Sequence, residues 1–148
     1  MNNCDHKFID SKRCLKCGWG PPPAAVASRL SPVRVAGEPM KVVYIAHPLR
    51  GKTPAETAAN RRRASEITAI IAAKHKVAPV ASWVILSEHW TEEEGRELGL
   101  KIDCALIERC DELWLIGPVR PLSEGMQIER DHAEAHGVVV VDERGVFE

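Results

Sequence analysis

The sequence predicts an α/β fold: a small doubly wound parallel sheet, Rossmann-like or flavodoxin-like, behind a short N-terminal zinc-binding module. Three observations predict it. From about residue 40 onward, short β-branched runs alternate with helical stretches. The first of those runs, "KVVYIAHP", is apolar on both faces, as a buried parallel strand must be. Ahead of that alternation, three cysteines and a histidine crowd into the first seventeen residues.

The chain has 148 residues, enough for one compact domain and an appendage. The predicted organisation is a zinc-knuckle-like module over 1–20, a Pro-rich linker over 21–39 and the main domain over 40–148. The linker assignment rests on "GPPPAAVASRLSPVRVAGEP", which holds five prolines and no helical or strand period.

"KVVYIAHP" reads as the first buried strand, stopped by Pro48. "TPAETAANRRRASEITAIIAAKHK" reads as a helix, with Thr53 as N-cap, Pro54 at its first position and Glu56 completing a capping box. Asn60, Ala64, Ile67 and Ile71 form its inner stripe. "VAPVA" is a second strand. "TEEEGRELGLKIDCALIERC" is a second helix opened by Thr91 and Glu94, with Leu98, Ile102, Ala105 and Leu106 at helical spacing. "ELWLIG" is a third strand. Ser123 to His136 is a third helix ended by Gly137, and "VVVVD" is a fourth strand.

Residues 1–39 carry six Lys/Arg against three Asp/Glu, while residues 40–148 carry fourteen against eighteen. An acidic main domain is not expected to present a nucleic-acid surface, although it can bind one nucleotide in a pocket. No apolar run approaches a membrane span, and no signal-peptide order opens the chain. A cytoplasmic protein with reduced thiols and no membrane contact is therefore expected. "NRRRAS" reads as a solvated basic face.

Cys4, His6, Cys14 and Cys17 follow C-x-H-x7-C-x2-C-G. Two close pairs on separate turns can supply four tetrahedral ligands, and Gly18 permits the tight turn. With all four positions filled by protein the Zn2+ is structural, and it folds a segment too short for its own core. Cys104 and Cys110 stand apart and read as small core residues. No organic cofactor is expected.

A parallel sheet of this kind binds ligands beyond the carboxyl ends of its strands. Glu129 belongs to the helix after "LWLIG". It lies three residues after Met126 and four before Ala133, so it shares their stripe. A carboxylate there is half buried or turned toward a cleft. Ser123 is a natural N-cap, and a helix start holding Ser123 and Gly125 is also suited to a phosphate.

Three segments carry a resemblance to a known family. "YIAHPLRG", "KIDCALIERCDELWLIG" and "SEGMQIERDHAEAHGVVVVD" together resemble the nucleoside 2-deoxyribosyltransferase superfamily, especially its small phage-type members, over about residues 41–142. The resemblance implies that Glu129 is the nucleophile. It would attack C1′ and form a glycosyl-enzyme, with water or a second base completing the reaction. Asp103 matches an acid that orients the substrate or protonates the leaving base, and Tyr44 matches a residue that positions the carboxylate.

Ser123 stands where transferases of free nucleosides carry Asp. Ser123 and Arg50 together resemble the branch that hydrolyses 2′-deoxynucleoside 5′-monophosphates, and Arg50 can grip a phosphate. The implied substrate contacts are Ser123, Gly125, Arg50, His47 and Gly51, with His47 replacing the family's usual Gly. Family members often complete the cleft across a dimer, so a homo-oligomer is expected. Trp83, His89 and Trp90 could stack on a base, or the tryptophans could pack in the core. Two other readings stay open: a nucleotide-sequestering protein without catalysis, and a zinc-tethered adaptor for nucleic acid or protein.

Overall fold

The computed structural model describes residues 8–9, 13–14, 37, 39–90 and 92–147. The chain divides into two compact units, Met1–Glu38 and Pro39–Glu148. In the first, strands β1 (Phe8–Ile9) and β2 (Arg13–Cys14) pair antiparallel, Phe8 opposite Cys14. Of the expected zinc ligands, Cys4, His6 and Cys17 lie outside the described residues, and so does the side chain of Cys14. The linker over 21–36 also lies outside them.

The second unit runs β3 (Val42–Ala46), α1 (Pro54–His75), β4 (Ala78–Val80), α2 (Ser82–Leu86), α3 (Glu92–Ile107), β5 (Glu112–Leu115), α4 (Glu124–Ala135) and β6 (Val139–Asp142). Its four strands form one all-parallel sheet in the order β4-β3-β5-β6. With four helices among the described residues, this is an α/β architecture compatible with a Rossmann-like fold. The chain leaves β3 toward β4, then returns to pair β5 on the other side of β3. Neighbouring connections therefore diverge between the carboxyl ends of β3 and β5, which opens a crevice there.

The strand period of two separates the two faces of the sheet. Tyr44, Ala46, Leu113 and Leu115 share a buried cluster with Met126 and Ala133 of α4 and Ile107 of α3. Val43, Ile45, Trp114 and Ile116 share another with Ile67 and Ile71 of α1. Tyr44 thus points to the side covered by α3 and α4.

Local signals hold the helices in place. The Thr53 hydroxyl accepts from the Glu56 amide at 3.1 Å, and Pro54 occupies the first turn. The Glu56 carboxylate accepts from the amide of Lys52 rather than that of Thr53. Ala64, Ile67 and Ile71 are buried in α1, and Asn60 at the end of their stripe donates to the Leu49 carbonyl at 3.1 Å. At the end of α4, the Val138 amide donates to Ala133 and the Gly137 amide to Glu134. Gly137 has φ of 72°, the left-handed cap that this pair of bonds requires.

Helix α3, the second helix expected from the sequence, departs from its predicted inner stripe. Leu98 is 51% exposed and Ala105 is exposed, so they do not form an inner stripe. The inward face instead carries Gly95, Gly99, Asp103 and Ile107, each four residues from the last. Glycines and a carboxylate break the apolar pattern there because that face borders the crevice. The short helix α2 falls in a stretch to which the sequence pattern assigned no element.

Candidate active site

A cavity of about 320 Å³ opens at the crevice, a size suited to a small molecule. Its walls come from the segments after β3, β4 and β5 and from α3. Glu129 and Asp103 both line it, yet only 6% and 5% of their surfaces are exposed. Glu129 is inside because α4 lays Met126, Glu129 and Ala133 along one buried stripe. Asp103 is inside because it lies on the glycine face of α3. Two carboxyl groups from two helices therefore meet beneath one cavity.

Tyr44 lies under this pair, fully buried. Its hydroxyl donates to Oε1 of Glu129 at 3.2 Å and also hydrogen-bonds Asp103. The Ser82 hydroxyl donates to Oδ1 of Asp103 at 3.3 Å. Burial raises the pKa of Glu129 to about 8, and the charge of Asp103 adds to this, against the bond from Tyr44. Burial also raises Asp103, while its bonds to Tyr44 and Ser82 lower it. Tyr44 is pushed well up by burial and by both carboxylates. The carboxyl pair consequently loses its protons in two coupled steps, the second near pH 8.

The expected phosphate side lies on the same cavity. Ser123, Gly125, Arg50 and His47 all line it. The Ser123 hydroxyl caps α4, accepting from the Met126 amide at 3.4 Å. Gly51 does not line the cavity. A Cβ on it would stand 2.3 Å from Cβ of Glu56, so its bareness lets the loop after β3 close onto α1. Its amide donates to the Thr57 hydroxyl at 3.0 Å.

His47 forms a wall. Its ring stacks on Trp83 at 6.5 Å, and burial lowers its pKa, keeping it neutral. Nδ1 lies 2.9 Å from the Pro48 carbonyl, which can only accept. The proton therefore sits on Nδ1, leaving Nε2 as an acceptor. Gly117, at φ of 108°, makes room: a Cβ there would lie 3.2 Å from the His47 ring.

Trp83 and Trp90 line the cavity, and His89 is exposed outside it. Trp83 is also a core residue, its indole donating to the Ile45 carbonyl at 3.0 Å. Sequence reasoning passed over Thr57, Ser82, Arg96 and Leu100. Arg96 lines the cavity and pairs with Glu124 at 2.6 Å, drawing α3 to the first turn of α4. The spacing of Gly95, Gly99 and Asp103 was the signal for this wall. Cys104 and Cys110 are free thiols, half-buried and raised in pKa by burial, in keeping with a packing role.

These features define a parallel α/β domain with a coupled carboxyl pair beneath a small-molecule-sized cavity. Residues 41–142 match the family described as a domain of unknown function (DUF7768), and the chain belongs to that family. No curated protein and no solved structure matches the chain. Among the described residues, no helix is long and apolar enough to cross a membrane.

Proposed function

We propose that this protein cleaves the N-glycosidic bond of a (deoxy)nucleoside 5′-monophosphate through a glycosyl-enzyme on Glu129. One observation carries the reading: Glu129 and Asp103 converge with Tyr44 beneath a cavity that Ser123 and Arg50 also line. The three motifs that resemble nucleoside 2-deoxyribosyltransferases fall on these same residues.

The Glu129 carboxylate attacks C1′ as the C1′–N bond breaks. The bond's electron pair leaves with the base, and Asp103 supplies the proton that neutralises it. Water or a second base then displaces Glu129 from C1′ and returns the proton to Asp103. Near neutral pH burial keeps a proton on Glu129. Turnover needs it on Asp103. The Tyr44 hydroxyl, bonded to both groups, is the route between them. The start of α4 and Arg50 hold the 5′-phosphate. The first unit adds a structural zinc on Cys4, His6, Cys14 and Cys17.

The test is incubation of the full chain with a panel of nucleoside and deoxynucleoside 5′-monophosphates, with chromatography of released base. Wild type should release base from at least one of them. Glu129→Gln keeps shape, removes the nucleophile and should release none while still binding. A fully active Glu129→Gln variant sinks the mechanism. A second reading, a nucleotide-sequestering protein, is favoured by the protonated state of Glu129 at neutral pH. It requires nucleotide binding by wild type with no base released at any pH.

A further inference from the structure

Glu108, His132 and His136 gather on the surface, outside the cavity lining. His132 and His136 are four residues apart at the end of α4, so their rings share one face. Glu108 directly follows α3. Nε2 of His132 stands 3.0 Å from Oε1 of Glu108, and Nε2 of His136 stands 3.8 Å from the same oxygen. One ligand atom from each residue lies within 4.8 Å of the others. Around a tetrahedral ion with bonds of roughly 2.0–2.1 Å, neighbouring ligand atoms are roughly 3.3–3.4 Å apart. Both nitrogens thus stand from the oxygen at distances that bracket the spacing of tetrahedral corners.

Two independent features favour a cation. Nδ1 of His136 lies 2.8 Å from the His132 carbonyl, which can only accept. The proton is therefore on Nδ1, and Nε2 turns its lone pair toward Glu108. A backbone carbonyl on the far nitrogen is how metal-bound histidines are held in one tautomer. The second feature is the convergence of two helix C-termini, those of α3 and α4, whose outward carbonyls and dipoles favour positive charge.

We propose that Glu108, His132 and His136 bind a divalent transition metal, Zn2+ foremost, with water completing the tetrahedron. Two imidazoles and one carboxylate suit such an ion better than Mg2+ or Ca2+. Bound there, it clamps the ends of α3 and α4, the helices that carry Asp103 and Glu129. The site stands independently of the glycosidase reading.

Calorimetric titration of the full chain with Zn2+ tests it, comparing wild type with a His132→Gln/His136→Gln double variant. Both retain Cys4, His6, Cys14 and Cys17, so zinc held there contributes equally. Wild type should bind one further equivalent, and added Zn2+ should raise its Tm more than that of the double variant. Glu108→Gln keeps both histidines and should weaken the extra equivalent at least tenfold. Equal stoichiometry and equal Tm shifts in wild type and double variant would overturn the site, leaving a histidine–glutamate hydrogen bond.

Discussion

The Tyr44 hydroxyl donates to Oε1 of Glu129 at 3.2 Å, joining the central strand β3 to the middle of α4. The bond exists because Tyr44 points to the α4 side of the sheet and Glu129 occupies the stripe between Met126 and Ala133. It favours the ionised form of Glu129 against burial.

Tyr44→Phe should therefore raise the pKa of Glu129 further and slow base release. A hydrogen bond to a charged group contributes roughly 1.5–3 kcal/mol, so the loss in rate should be about ten- to a hundredfold. Binding of the nucleotide should change little. Steady-state kinetics that show a raised KM with unchanged kcat would place Tyr44 in binding instead.

The protonation of Glu129 also couples to stability. A glutamate in the unfolded chain titrates at roughly 4.3, whereas Glu129 in the fold titrates at about 8. Between those values the folded protein holds a proton that the unfolded chain has released. Stability from this group is full below the unfolded pKa and falls as pH rises to the folded one, by roughly 1.4 kcal/mol per pH unit. Thermal melts across this window should show wild type losing stability relative to Glu129→Gln, which becomes the more stable protein at the alkaline end. Parallel curves for the two proteins would contradict a protonated, buried Glu129.

The fold was legible where periodicity was strong. "VVYIA" and "ELWL" read as strands and are buried on both faces, and the stripe around Glu129 followed from its spacing to Met126 and Ala133. The inner face of α3 was not legible from apolar residues, because Gly95, Gly99 and Asp103 replace them beside the cavity. Function displaces the pattern from which burial is read. Ser82 and Arg96 escaped notice because their partners, Asp103 and Glu124, lie on other elements far away in sequence. The family resemblance implies a ligand contact for Gly51, whereas its contact is with α1, since a tight backbone approach and a ligand cradle demand the same residue.

In the proposed function Arg50 and Ser123 select a phosphorylated substrate. A 5′-monophosphate should bind more tightly than its nucleoside, and Arg50→Ala should erase most of the difference. Removing one charge-assisted contact corresponds to about ten- to a hundredfold in Kd. Calorimetry with matched nucleoside and nucleotide checks this. Equal affinities in wild type would remove the phosphate from the reading and leave the carboxyl pair untouched.

The N-terminal module makes a separate prediction. Cys14→Ser should cost the protein one equivalent of zinc and expose residues 1–20 to proteolysis, with the α/β domain still folded. Elemental analysis and limited digestion read both effects. An unchanged zinc content in Cys14→Ser would dissolve the proposed site.

The pH dependence of kcat/KM tests the division of labour between the two carboxyl groups, because it reports the free enzyme. In the proposed reaction the reactive state holds one proton across the pair, on Asp103, with Glu129 ionised. At low pH the pair takes up a second proton and the nucleophile is lost. The substrate phosphate also titrates at roughly pH 6, so that limb has two causes. The alkaline limb has one: the pair gives up its last proton near pH 8, and no acid is left for the departing base. Activity should therefore fall above about pH 8. Asp103→Asn removes both the acid and the negative charge that raises Glu129. It should lower kcat/KM, shift the acidic limb upward to the value that burial alone gives Glu129, and abolish the alkaline fall. If wild-type activity instead climbs through pH 8 and stays high, Glu129 works alone and Asp103 only orients the substrate.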